Sequence, residues 1–217
     1  MSCSSHLGGL QINSITIGDY LLLGNYNNEP LLWRYVDHDE LGLLMLSDKI
    51  IAVKPFDAGG IHTYENGSTQ HDLADNSRFK FGSNLWATSN LRAWLNSTAG
   101  RGAICWPDNC PPNAENLGSQ GNAYALEEGF LAESNFSAKE RNVILAVNQK
   151  NLLNPADIKW QKYGGYEEHR YGETITTVVQ NYDDAFFHRL TDSVFLLDVK
   201  QLFRVYVNLG AGYVSVT

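Results

Sequence analysis

The chain of 217 residues is poor in sulfur, poor in positive charge, and without a long apolar run. Three cysteines, an odd and low count, argue against a secreted fold stapled by disulfides. Cys105 and Cys110 bracket a Trp-Pro-Asp-Asn loop. Their spacing matches no thioredoxin-type motif, so they read as ordinary loop cysteines, with a small-loop disulfide as the alternative. Sixteen Lys and Arg against 24 Asp and Glu leave a formal net charge of −8. Such a chain has no broad attraction to phosphate backbones or anionic lipid, so nucleic acid is not an expected partner. No stretch approaches the roughly 18 consecutive apolar residues of a membrane span. The opening MSCSSHLGGL has neither a charged leader nor an apolar core, so no signal peptide is expected there. There is no HExxH, no GxSxG elbow, no phosphate-binding loop and no dinucleotide fingerprint.

What is present is a folded chain's composition, 43% hydrophobic and only 18% charged. Residues 1–9 read as a disordered leader of Ser and Gly, and 10–217 as a single α+β domain. Asp19–Tyr26 and Pro30–Val36 are apolar runs joined by Asn27, Asn28 and Glu29, a hairpin signal. In the second run Leu31, Trp33 and Tyr35 alternate with Leu32, Arg34 and Val36, and Leu43–Leu46 supplies a third strand. Ser89 or Thr88 is placed to cap a helix with Leu91, Trp94 and Leu95 on one face and Asn96 and Ser97 at its end. Ser137 and Glu140 form a capping box, which predicts a second helix with Val143, Ile144 and Val147 as its buried stripe. Val194–Leu197 reads as a short buried strand. Asp198 with Gln201 opens a last helix through Leu202, Val205 and Tyr206. Three irregular blocks, near 57–81, 98–125 and 154–190, separate these elements. The expected architecture is a small antiparallel sheet with two or three short helices and long loops.

Five segments in order, GDYLLLGNYNNEPLLWRYVD, LLMLSDKIIAVKPFD, FGSNLWATSNLRAWLNS, GFLAESNFSAKERNVI and TDSVFLLDVKQL, resemble domain of unknown function 6273 of bacteria and their phages. The resemblance runs over most of the chain from about Ile15, and SNLRAWLNS is its most distinctive piece. It implies, by analogy, a C-type-lectin-like fold and a place at a cell surface, in a secreted protein or in a phage particle. Members of that family continue past the FLLD segment into a further strand region, whereas this chain stops at Thr217. The expectation is either a C-terminally shortened domain, with an open sheet edge for a partner chain or a second copy to cover, or a domain that closes its sheet differently.

Candidate residues fall into two groups. Trp33, Arg34, Trp86, Arg92, Trp94 and Asn96 read as structural: rings that fill core volume, guanidinium groups that pair with a carboxylate or cap a carbonyl, and an amide that satisfies a helix end. Trp160, Tyr163, Tyr166, Arg170 and Tyr171 gather with glycines in the third loop block and read as the ligand-binding set. Flat rings, Arg and Gly are what adaptable recognition surfaces use, and rings also stack on sugars. No metal is expected. His62, His71, Asp72 and Asp75 share one loop without a ligand spacing. The adjacent acids at 37/39/40, 127/128, 167/168 and 183/184 are the calcium candidates, yet no DxDxDG loop accompanies them. The expected function is non-catalytic recognition of a glycan or protein surface through the long loops, with no cofactor. The alternatives are a hydrolase using a loop carboxylate pair and a structural or assembly subunit of a phage-like particle.

Overall fold

The computed structural model describes residues 6–7, 10–11, 15–57, 85–106, 111, 124, 127–152 and 187–210. They build small antiparallel sheets and a few short helices, the expected α+β class. The chain gathers into two compact units, each assembled from separated stretches: Met1–Ala52 with Glu133–Val147 and Leu196–Thr217, and Val53–Ala132 with Asn148–Phe195.

The first unit is organised by an antiparallel meander. Strands β1 (His6–Leu7) and β2 (Leu10–Gln11) form a two-residue ladder, and β3 (Tyr20–Tyr26), β4 (Glu29–Asp39) and β5 (Gly42–Ser47) form a three-stranded sheet in that order. Asn27 and Asn28 close the first hairpin with φ of 52° and 66°, the left-handed pair that a two-residue turn needs and that Asn tolerates. Each pairing of the three-stranded sheet carries one bulge. In β4 the register passes from Tyr35↔Met45 to Asp37↔Leu44, which leaves Val36 as the extra residue. The strict alternation read from the sequence therefore stops at Tyr35, and Tyr35, Val36 and Asp37 are all buried. In β3 the shift falls between Leu22 and Asn25 and includes Gly24, at φ 75°. A Cβ there would lie 2.2 Å from Phe136 Cε1, so the glycine lets a fully buried ring close on the backbone.

Helix α2 (Ala138–Arg141) is a single turn, held by the expected capping box: Ser137 Oγ accepts from Glu140 N, and the Glu140 carboxylate accepts from Ser137 N at 2.8 Å. That carboxylate also accepts from Gly24 N at 2.9 Å, so the cap doubles as a tie to the β3 bulge. The longer helix with a Val143–Ile144–Val147 stripe is a correction. The turn ends at Asn142, Val143 and Ile144 are half-buried in the chain beyond it, and Val147 opens strand β6. Four helical residues with no buried side chain have no packing to extend them.

Helix α3 (Val199–Leu209) packs against β4. Asp198 and Gln201 form its capping box, and Gly210 at φ 85° ends it. Val205 is 1% exposed, and full burial of such a side chain contributes about 1.5–3 kcal/mol. Asn208 Nδ2 donates to Val36 O at 3.0 Å, and Arg204 reaches both Asp37 and Asp39. Tyr206 lies on the outer face, 45% exposed beside Phe203 and Val207.

The second unit contains a 3₁₀ turn (Trp86–Thr88), helix α1 (Asn90–Leu95) and the two-stranded sheet of β6 (Val147–Leu152) with β7 (Phe187–Asp192), all but the first residue of β6 belonging to it. Helix α1 starts on Ser89, whose side chain accepts from Arg92 N, and Asn96 caps its end, as expected. The strand expected at Val194–Leu197 lies earlier, as β7, inside the block read as irregular. Residues 193–198 are bends and extended chain.

Candidate functional site

Three of the six structural candidates, Trp86, Arg92 and Asn96, meet at the sequence stretch 192–194. The Asp192 carboxylate is fully buried and accepts from Trp86 Nε1 at 2.9 Å and from Arg92 Nε at 2.8 Å. Arg92 also donates through Nη1 to Ala87 O at 3.0 Å, so it fills both roles foreseen for it, pairing with a carboxylate and capping a carbonyl. The Asn96 amide is saturated. Its Nδ2 donates to Arg92 O and Val194 O, and its Oδ1 accepts from the backbone N–H groups of Ser193 and Val194. Three side chains on or beside one short helix thus hold residues 192–194, about a hundred positions away in sequence. Without these bonds a buried carboxylate and an indole N–H would stand unpaired, each at a cost of roughly 1–3 kcal/mol or more.

Trp94 belongs to a different cluster. It is 2% exposed, and its Nε1 donates to Glu128 O at 3.1 Å. Its ring packs on Phe130 at 5.2 Å and on Tyr124 at 6.4 Å, and Trp106 stands edge-on to Tyr124 at 5.6 Å. Lys54 enters this aromatic group. Its Nζ lies 4.5 Å from the Trp94 ring centroid, 5.0 Å from that of Tyr124 and 2.7 Å from Glu127 Oε2. The Lys54 side chain is only 4% exposed. Desolvation lowers its pKa below the ordinary 10.5, against the opposing pull of Glu127. Burial, with Asp57 and Glu127 nearby, raises the pKa of the Tyr124 hydroxyl, which donates to Pro55 O at 2.5 Å. Behind Trp94, Gly129 approaches α1 so closely that a Cβ would fall 2.1 Å from Ser97 O. Phe130 N and Leu131 N then satisfy the carbonyls of Trp94 and Ser97.

In the first unit, Trp33 is half-buried and donates from Nε1 to Leu23 O at 2.8 Å across the β3 bulge. Arg34 lies over the Tyr20 ring, with its guanidinium carbon 5.1 Å from the centroid. Tyr35 Oη and His38 Nδ1 are 3.0 Å apart, and burial raises the tyrosine's pKa. Of the acid groups raised as calcium candidates, Asp37 and Asp39 bind Arg204, and Glu127 binds Lys54. Among the described residues no three His, Cys, Asp or Glu side chains gather to hold a metal ion. Among the described helices none is long and apolar enough to cross a membrane. Cys105 is a free, exposed thiol.

The ligand set of Trp160, Tyr163, Tyr166, Arg170 and Tyr171 lies outside the described residues, as do His62, His71 and the acids at 167/168 and 183/184. Sequence reasoning missed Lys54, Tyr124, Glu127 and Asp192 as partners. Each stands in a stretch without periodicity, and a lysine in AVKPFD carries no sign that it will be buried among rings. Comparison of the chain with family models, with curated proteins and with solved structures finds no match.

Proposed function

We propose that the chain is a non-catalytic recognition protein that binds a glycan or protein surface through its long loops, carried by an α+β framework. The observation that carries this reading is how the scaffold uses its charged groups. Asp192 is bound to Arg92 and Trp86, Glu127 to Lys54, Asp37 and Asp39 to Arg204, and Glu140 to two backbone N–H groups. Charges committed to internal bonds hold a framework, which leaves recognition to the loops that the framework presents. The order of segments that resembles domain of unknown function 6273, and the lectin-like fold that the resemblance implies, belong to the same proposal. The test is a glycan array together with affinity capture on the intact protein, repeated with Trp160→Ala/Tyr163→Ala/Tyr166→Ala. A retained partner lost in the triple variant is the expected result. No partner in either assay, or undiminished binding by the variant, overturns it.

A second reading, an assembly subunit, is favoured by the surface of the first unit. Strands β3 and β5 are the edges of the three-stranded sheet, and α3 exposes Phe203, Tyr206 and Val207 by 38–63%. Measurement of the solution mass separates the two, because a strictly monomeric protein at high concentration opposes assembly through copies of itself.

A further inference from the structure

Lys54 inverts the usual order of inside and outside. Its neighbour Val53 is 90% exposed and Pro55 is exposed, yet the ammonium between them is taken out of water. Lysine is almost never buried so fully, and here its carboxylate partner remains 34% exposed. The surroundings of Nζ are those of a cation cage. Two electron-rich ring faces stand at 4.5 and 5.0 Å, inside the roughly 6 Å over which a ring attracts a cation, and a carboxylate supplies the opposite charge. The walls are held by bonds that do not involve the lysine side chain. Trp94 is held through Nε1 by Glu128 O, Trp106 braces Tyr124 edge-on, and the Tyr124 hydroxyl donates to the backbone carbonyl of Pro55, next to the lysine in the chain. Binding to walls already in place loses little to ordering.

We propose that Trp94, Tyr124 and Glu127 form a binding site for organic ammonium ions of the trimethylammonium class, occupied in cis by Lys54 as a built-in plug. A trimethylated head sheds its weak hydration more readily than a primary ammonium, so the aromatic walls favour it over the lysine they now hold. The unfavourable desolvation of Lys54, visible in its lowered pKa, acts in the same direction. The backbone beside the plug is anchored, with Leu91 N–H on Phe56 O and Asn90 N–H on the Asp57 carboxylate, so release of the plug is a movement of the lysine side chain alone. This site uses none of residues 160–171, and its success or failure leaves the reading of those residues untouched.

The test titrates wild type, Lys54→Ala and Lys54→Ala/Glu127→Gln with choline, with a trimethyl-lysine peptide and with sodium chloride, following tryptophan fluorescence. The expected result is saturable binding of at least one trimethylammonium probe to Lys54→Ala, at least tenfold tighter than to wild type and at least tenfold weakened by Glu127→Gln. A preference for choline assigns a small-molecule or glycan-borne head group, and a preference for the peptide assigns a modified protein tail. No saturable response in Lys54→Ala, or a response that sodium chloride reproduces, overturns the proposal. A second measurement uses the wild-type protein and does not depend on the variant folding. Acylation of Lys54, read by mass spectrometry, rises several-fold at 100 mM choline, on the order of the concentration needed to compete with a tethered group. Unchanged acylation overturns the proposal when Lys54→Ala does not fold.

Discussion

The two units differ in emphasis. The first is built mainly on neighbours in sequence: a turn of two asparagines, a meander of three consecutive strands, and a helix with its own capping box and glycine stop. To these are added the distant ties of Glu140 to Gly24 and of Arg204 and Asn208 to β4. The second relies on single side chains that join distant positions. Asp192 meets Trp86 and Arg92, Asn96 meets Ser193 and Val194, and Lys54 meets Glu127. Hydrogen-bonded ladders spread their strength over many weak bonds, so no one side chain decides the fold. A tie through one buried carboxylate concentrates it, and the loss of that carboxylate is felt at once.

The sharpest way to break the comparison is Asp192→Ala. It leaves the Arg92 guanidinium and the Trp86 N–H without their carboxylate, and a loss of about 3–5 kcal/mol is expected. Denaturant melts measure it. Hydrogen exchange places it: protection of the amides at 90–96 should fall first, with β3–β5 the last to respond. Gly24→Ala strikes the first unit where Phe136 closes on the backbone. Its methyl group meets the Phe136 ring and strains a residue at φ 75°, so about 1–3 kcal/mol is expected, again from denaturant melts. A loss as large as that of Asp192→Ala would erase the contrast between the units.

A smaller effect tests the cap of α2. Hydrogen bonds from Ser137 and Gly24 hold the pKa of Glu140 below its ordinary 4.5. Its contribution is therefore present in full above pH 4.5 and is lost as pH falls through the depressed folded value. Thermal melts from pH 7 to 3 should show wild type and Glu140→Gln converging at the acid end. A gap that stays constant would mean that the carboxylate's charge contributes nothing. The smallest expected change is Lys54→Met, within about 1 kcal/mol of wild type, because the methionine fills the aromatic group while Glu127, already partly exposed, returns to water. Since folding lowers the lysine's pKa, wild type should gain on this variant as pH rises toward 10.5. Melts at pH 7 and 10 check that sign, and a wild type that loses ground would show Glu127 outweighing desolvation.

Legibility followed the same division. The hairpin at Asn27–Asn28, the Ser89 cap, the Asn96 helix end and both capping boxes lie within four residues of what they bond, and all were readable. Where sequence reasoning went astray, the deciding contact was distant. The capping box at Ser137 starts a helix but does not prolong it, and Val143 and Ile144 found no face to extend it against. On α3, Val205 is buried and Tyr206 is not, and it is β4 that engages Arg204 and Asn208. The bulge at Val36 turned a period-two strand into three consecutive buried residues.

Local chemistry in the sequence determined the α+β class, the meander and the ends of the helices. Turn conformations, caps and alternating hydrophobicity act over a few residues, and their energies do not depend on the rest of the fold. Only the tertiary structure decided which carboxylate Arg92 and Trp86 would share and that Lys54 would sit inside an aromatic cage. Such pairings depend on which distant segments pack together, and that is set by the burial of the whole chain rather than by the spacing of any motif.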